Sequence, residues 1–169
     1  MVRIREELAA DQEAIRQVNR AAFEGEDEAV LVDRLRSEGL FITSLVAEEA
    51  GEVAGHILFT KLPIKTDRGE VIAAGLAPMA VLPGLQRQGV GSKLVEDGLN
   101  ACRERGYGIA IVLGHPEYYP RFGFTAALTR NLQSPFSGSD AFMATELTPG
   151  ALDGVQGTVH YPEAFGVGQ

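Results

Sequence analysis

The sequence predicts a mixed α/β domain, and three stretches carry that prediction. Leu45 to Glu49 and Val53 to Lys61 read as two strands around Ala50-Gly51, which suits a hairpin turn. Val71 to Leu82 is a long apolar run, and Ile109 to Leu113 is a short one of the continuously apolar kind found inside sheets. Between those two lies the clearest helix, Ser92 to Arg105. There Leu94, Val95, Leu99 and Cys102 share a face with Gly98, while Lys93, Glu96, Asp97, Arg103 and Glu104 lie opposite.

The remaining elements fall into order around these. Asp11 to Phe23 has apolar residues at Ala14, Ile15, Val18, Ala22 and Phe23, the spacing of one helical face. Glu28 to Arg36 reads as a second helix with Val30, Leu31 and Leu35 inward, ended near Gly39. Ile64 to Glu70 is expected to be a polar connection turning at Asp67-Arg68-Gly69. Pro78 cannot donate to a ladder, so the long strand should be interrupted or splayed near its middle. Gly106 closes the clear helix, after Arg103 and Arg105 in its last turn. Further strands are expected at Ala141 to Leu147 and around Gly157 to Tyr161. With no linker or repeat in view, residues 1–169 read as a single domain.

Composition narrows the function classes. Charged residues make up 22% and hydrophobic ones 45%, as in a globular chain that buries a real core. A net charge of -8 argues against nucleic acid, whose phosphates need a basic surface. One cysteine excludes an intrachain disulfide, and Cys102 reads as a small buried hydrophobe rather than a catalytic thiol. No signal peptide or run of about 20 apolar residues is present, so a cytoplasmic protein without membrane partners is expected. No His/Cys/Asp/Glu cluster has metal-ligand spacing.

The chemistry is concentrated in Pro83-Gly84-Leu85-Gln86-Arg87-Gln88-Gly89-Val90-Gly91-Ser92, between the long strand and the clear helix. Glycines at a helix entry let backbone N–H groups meet an anion, and the helix N-terminus adds positive charge. A Walker loop would need Lys-Ser/Thr where Val90-Gly91 stand, and a Rossmann fingerprint would need glycine at Leu94. What remains is Gln86-x-x-Gly89-x-Gly91.

That pattern resembles the acetyl-CoA pyrophosphate loop of the GNAT superfamily, Gln/Arg-x-x-Gly-x-Gly/Ala. Downstream, Tyr119 lies four residues before Gly123-Phe124, as a tyrosine does in the family's second segment. The string Leu113-Gly114-His115-Pro116-Glu117-Tyr118-Tyr119, with Gly75-Leu76-Ala77-Pro78 earlier, resembles the YhbS-like branch of N-acetyltransferases. The resemblance implies the GNAT fold, an α+β arrangement whose mixed central sheet splays at the acetyl-CoA site. It implies that pantetheine pairs with the backbone of Met79, Ala80 and Val81, and pyrophosphate with Arg87, Gln88, Gly89, Val90, Gly91 and Ser92. Tyr119 matches the position that protonates the departing thiolate, and an aromatic packing role is the other reading of it. Val81 or Leu82 would supply an oxyanion N–H.

The reaction implied is direct attack of a neutral amine on acetyl-CoA, with a small molecule or a peptide as acceptor. A non-catalytic acyl-CoA-binding or sensing module is the second reading, because no base is evident. The long strand has no carboxylate, and Val112 stands where other branches place asparagine. His56 and His115 are candidate proton acceptors, with a hydrogen-bonded structural histidine the plainer reading of each and a water chain equally open. His160 lies far from every motif. A homodimer is compatible with the sequence, which does not encode the acceptor in any readable way.

Overall fold

A computed structural model describes residues 1–167. In chain order it has β1 (Val2–Glu6), α1 (Gln12–Phe23), α2 (Asp27–Ser37), β2 (Phe41–Glu49), β3 (Glu52–Thr66), β4 (Gly69–Val81) and α3 (Val90–Glu104). Then follow β5 (Ile109–Leu113), the short β6 (Leu132–Gln133), β7 (Phe142–Glu146) and β8 (Gly157–Val159). Strands pair in the order β1-β2-β3-β4-β5-β7, β8 pairs with β3, and β6 with β8. The β4–β5 pair is parallel, whereas β1–β2, β2–β3, β3–β8 and β5–β7 are antiparallel. No helix among the described residues is long and apolar enough to cross a membrane.

Three elements differ from the sequence reading. Val2–Glu6 is a strand, although Arg3, Arg5 and Glu6 hide its pattern; charged side chains are what an edge strand carries to avoid unwanted pairing. In α2 the inward face is Ala29, Val32 and Leu35, and Val30 is 57% exposed, because spacing by three from Ala29 selects the buried stripe. The expected polar connection from Ile64 is largely strand. β3 runs on to Thr66 because Ile64, Lys65 and Thr66 pair with Val159, Thr158 and Gly157, leaving only Asp67-Arg68 as the turn. The hairpin turn after β2 is as expected, with positive φ at Ala50 (53°) and Gly51 (80°).

The chain forms two compact units. The first comprises Met1–Thr60 and Ala77–Ala101. Its buried side chains include Ile15, Leu35, Phe59, Leu94 and Val95. Within it, Gly98 of α3 lies directly under the Phe59 ring, so closely that a Cβ there would overlap the ring edge. The second comprises Lys61–Leu76 and the chain from Cys102 onward. Leu62, Ile64, Ile109, Ile111, Phe142 and Val159 are buried together there as its core.

Candidate active site

The end of β4 sets the geometry of the first unit's site. The β4–β5 ladder covers only Ala74–Leu76 against Ala110–Val112, while β4 continues to Val81. Leu82 donates its N–H to the Ala54 carbonyl of β3 at 2.9 Å. In a trans peptide the C=O and the following N–H point opposite ways, so the Val81 carbonyl faces away from β3. In extended backbone a residue's N–H and C=O share a side, so the Val81 N–H faces away from β3 too, and Met79 follows by alternation. Leu82 is therefore corrected as an oxyanion donor: its N–H is already held by Ala54.

The outward Val81 carbonyl accepts a 3.0 Å bond from Gln86 Nε2. Through that bond the first residue of the glycine pattern folds the loop back onto the strand that precedes it. The chain turns through a 3-10 segment at Pro83–Leu85, and Gln88 Nε2 closes on the Gly84 carbonyl at 3.3 Å. Arg87 has φ +65° and Gly89 φ +85°, so the backbone takes left-handed turns just before α3 starts at Val90. Lys93 N–H bonds back to Gly89 O at 3.1 Å. The Val90 and Gly91 amides lie in the first turn, where a helix leaves N–H groups without an intrahelical acceptor. Nothing lies within 4 Å of where a Cβ on Gly89 would sit. Open space, exposed backbone and the N-terminus of a four-turn helix fit a pyrophosphate.

Tyr119 belongs to the second unit. It begins a short 3-10 turn, Tyr119–Phe122, after β5. Its amide and that of Tyr118 both bond to the His115 carbonyl, at 3.3 and 3.1 Å. The ring is only 7% exposed and meets Phe124, Tyr118 and Phe122 edge-on or tilted, at centroid distances of 5.8, 5.1 and 6.4 Å. Gly114 lies against its face, where a Cβ would overlap the ring. Burial, with a smaller effect of Tyr118, pushes the phenol up to about 12. Tyr118 carries the Arg121 guanidinium over its ring, 4.4 Å from the centroid.

The histidines separate clearly. His56 is fully buried on β3, with Nε2 2.9 Å from Ser44 Oγ and Nδ1 3.3 Å from Asn19 Nδ2. Ser44 donates in turn to Glu7, which Arg36 grips through Nε and Nη2 at 3.0–3.2 Å. Burial foremost, and then Arg36, pushes the imidazole down to about 3. It is a structural histidine. His115 is exposed, 3.8 Å from Glu117, and its carbonyl organises the Tyr118–Tyr119 turn. His160 bonds to Pro63 O through its amide at 2.8 Å. Cys102 is fully buried, and burial pushes its thiol up to about 12, which suits a core residue and not a nucleophile.

Sequence reasoning did not find the Gln86–Val81 bond or the Glu7–Ser44–His56–Asn19 chain. The first is a local contact between a glutamine side chain and a backbone carbonyl, which no residue pattern encodes. The second joins residues up to 37 positions apart and leaves no periodic signal.

Comparison with known proteins bears on the family and the fold. The acetyltransferase (GNAT) domain family matches residues 3–127. The uncharacterized N-acetyltransferase YhbS of Escherichia coli K12 is 37% identical over 164 residues, covering 96% of this chain and 97% of YhbS. The crystal structure of E. coli YhbS in complex with CoA superposes with a TM-score of 0.91 at 35% identity, covering 98% of this chain and 92% of that one. A GNAT family acetyltransferase from Brucella melitensis, in complex with acetyl-CoA, gives 0.82 at 37% identity, with 98% of both chains covered. Sharing a domain over most of its length and a sequence along nearly all of it, the chain belongs to the GNAT family of acetyltransferases.

Proposed function

We propose that this acetyltransferase transfers the acetyl group of acetyl-CoA to a primary amine of a small molecule or peptide, by direct attack, in the cytoplasm and within one domain spanning residues 1–169. The observation that carries the reading is the outward edge of Met79–Val81 running straight into a loop with open backbone at a helix N-terminus. That edge suits an extended amide-bearing arm, and the loop at Arg87–Ser92 suits its pyrophosphate. The Arg87 side chain adds positive charge beside that loop.

Acetyl-CoA, when bound, supplies an acetyl thioester that a neutral amine attacks, with release of the CoA thiol. The Val81 N–H, which faces away from β3, would donate to the negative charge that develops on the acetyl oxygen. Tyr119 holds a proton on Oη at every physiological pH and gives it to the departing sulfur. At a pKa of about 12 the phenol is a weaker acid than a thiol of about 8.5, so this transfer is uphill until the surrounding site stabilises the phenolate. The fully buried His56 is no base for this reaction, and the amine's proton leaves to solvent or to exposed His115. No observation favours the non-catalytic module.

Two measurements test the reading together. Titration calorimetry should show CoA and acetyl-CoA binding, with ATP and NAD much weaker. Release of free thiol from acetyl-CoA should accelerate with primary amines and rise with pH as the amine deprotonates. Acceleration by alcohols or thiols alone would refute the amine assignment.

A further inference from the structure

The second unit has a cavity of about 320 Å³ to which the reaction above gives no part, within the size range of small-molecule sites. Its walls come from the chain between Tyr119 and β7: Thr129 and Arg130 on one stretch, Ser137, Gly138, Ser139 and Asp140 on another. Both stretches are tied to the segment that carries Tyr119. Gly114, on which the Tyr119 ring rests, donates its N–H to Ala141 O at 2.9 Å, next to Asp140. Thr125 and Ala144 exchange backbone bonds of 2.9 and 3.0 Å, fixing the chain between Phe124, which packs on Tyr119, and the cavity wall.

The polar groups of this cavity divide into spent and available. Ser137 Oγ accepts from Ser134 N–H and donates to Leu132 O. Thr129 donates to Ala126 O, and Ser139 Oγ accepts from Ala141 N–H, keeping its own proton to give. Arg130 makes one side-chain bond, from Nη1 to Ala127 O at 3.1 Å, which leaves most of the guanidinium fork unused. Arg130 and Asp140 line the same cavity, yet among the described residues neither forms an ion pair with the other or with any third group. Arg130 and Asp140 are both exposed, so each presents its charge to whatever enters the cavity from solvent. A cation and an anion left apart around one polar cavity present a complement to a molecule bearing both charges.

We propose that this cavity receives the acyl acceptor, and that the acceptor is a zwitterion: an amine compound that also carries a carboxylate. Arg130 takes the carboxylate through its unused donors, and Ser139 adds a hydroxyl. Asp140 attracts the ammonium end on arrival. The inference rests on the amine-acetyltransferase reading and names the substrate class for it.

Three four-carbon probes separate the charges: 4-aminobutyrate, n-butylamine and butyrate. Each is titrated into the isotopically labelled, CoA-bound protein while backbone amide shifts are followed. 4-Aminobutyrate should perturb Thr129–Leu132 and Ser137–Ala141 and bind about fivefold to tenfold more tightly than either single-charge probe. Arg130→Gln should reduce it to the affinity of n-butylamine, and Asp140→Asn to that of butyrate, with unchanged melting temperatures. Thiol release from acetyl-CoA, measured with the same probes, keeps the two readings apart. Acetylation of n-butylamine and 4-aminobutyrate at equal efficiency, with no shifts at the cavity, overturns the zwitterion site and leaves the amine reaction standing. Binding of 4-aminobutyrate through Arg130 and Asp140 without acetylation of any amine supports the cavity and overturns the reaction.

Discussion

His56 Nε2 lies 2.9 Å from Ser44 Oγ, and this contact fixes the protonation state of a ring that has no access to solvent. Ser44 spends its proton on Glu7, so its oxygen accepts from His56, which must carry hydrogen on Nε2. Asn19 Nδ2 donates both to Ile15 O, at 3.0 Å, and to Nδ1 of the ring. A second ring proton would face that donor. The folded protein therefore holds a neutral histidine well below neutral pH.

This makes stability acid-sensitive in a defined window. The ordinary imidazole pKa is 6.5 and the folded value about 3, so below 6.5 the unfolded chain binds a proton that the folded chain refuses. Stability from this group is complete above 6.5 and falls by about 1.4 kcal/mol per pH unit as pH drops towards 3. His56→Gln should cost about 1–3 kcal/mol at pH 7 by leaving the chain of hydrogen bonds incomplete. Its loss between pH 6.5 and 4 should nevertheless be shallower than that of the wild type. Urea midpoints at pH 7, 6, 5 and 4 check this, and parallel curves for the two proteins would assign the acid sensitivity elsewhere.

Gln86→Leu removes the bond to Val81 O while keeping bulk. The loop should lose its fixed approach to β4, raising the CoA dissociation constant roughly tenfold for a lost bond worth about 1 kcal/mol and the ordering that goes with it. Melting temperature without ligand should change by only a few degrees. Calorimetry that finds wild-type CoA affinity in the variant would show that the bond does not shape the site.

Arg87 has a left-handed backbone that glycine adopts freely, so Arg87→Gly should raise unliganded stability by up to about 1 kcal/mol. Arg87→Ala keeps the strain and removes the charge. Equal loss of CoA affinity in both variants would identify the guanidinium as a phosphate partner. Retention in both would leave binding to the backbone alone.

Tyr119→Phe keeps the ring that packs on Phe124 and Gly114 and removes only the hydroxyl. Turnover should fall about 100-fold, at the lower end of general-acid effects, because burial weakens this phenol as an acid. Cofactor affinity and melting temperature should hold, and Tyr118→Phe should cost much less. With a phenol raised to about 12, the pH profile should climb with amine deprotonation and show no descending limb from Tyr119 up to about pH 10. Near wild-type turnover in Tyr119→Phe, with damage only in Tyr119→Ala, would make the ring a packing residue.

Gly98→Ala places a methyl group against the buried edge of Phe59. Overpacking of this kind costs about 1–3 kcal/mol, or roughly 2–4 °C in melting temperature for each kcal/mol in a chain of this size. A thermal scan reads it directly, and a variant as stable as wild type would mean that the Phe59 ring shifts freely.

Local chemistry was legible in the sequence. Gln86, Gly89 and Gly91 lie within six residues, and their pattern announces a loop that opens onto a helix. Likewise α3 shows its face because Leu94, Val95, Leu99 and Cys102 repeat at helical spacing. What stayed hidden depends on distant partners. Ile64–Thr66 is a strand only because Gly157–Val159 pairs with it, and Leu82 is excluded as a donor only by the register that brings Ala54 opposite. Arg130 and Asp140 are ordinary isolated charges in the sequence, and only the fold brings them to one cavity.

The first compact unit is discontinuous: Met1–Thr60 closes only with Ala77–Ala101. On a ribosome, Phe59 emerges before Gly98 can cover it, and Ala54 before Leu82 can bond to it. At about 5–20 residues per second, the wait from Thr60 to Ala101 lasts roughly two to eight seconds. During that time Phe59, fully buried in the folded chain, lacks the helix that packs on it. The loop proposed to hold the pyrophosphate, Arg87–Ser92, lies in the segment that ends the wait, so it is completed together with the first core.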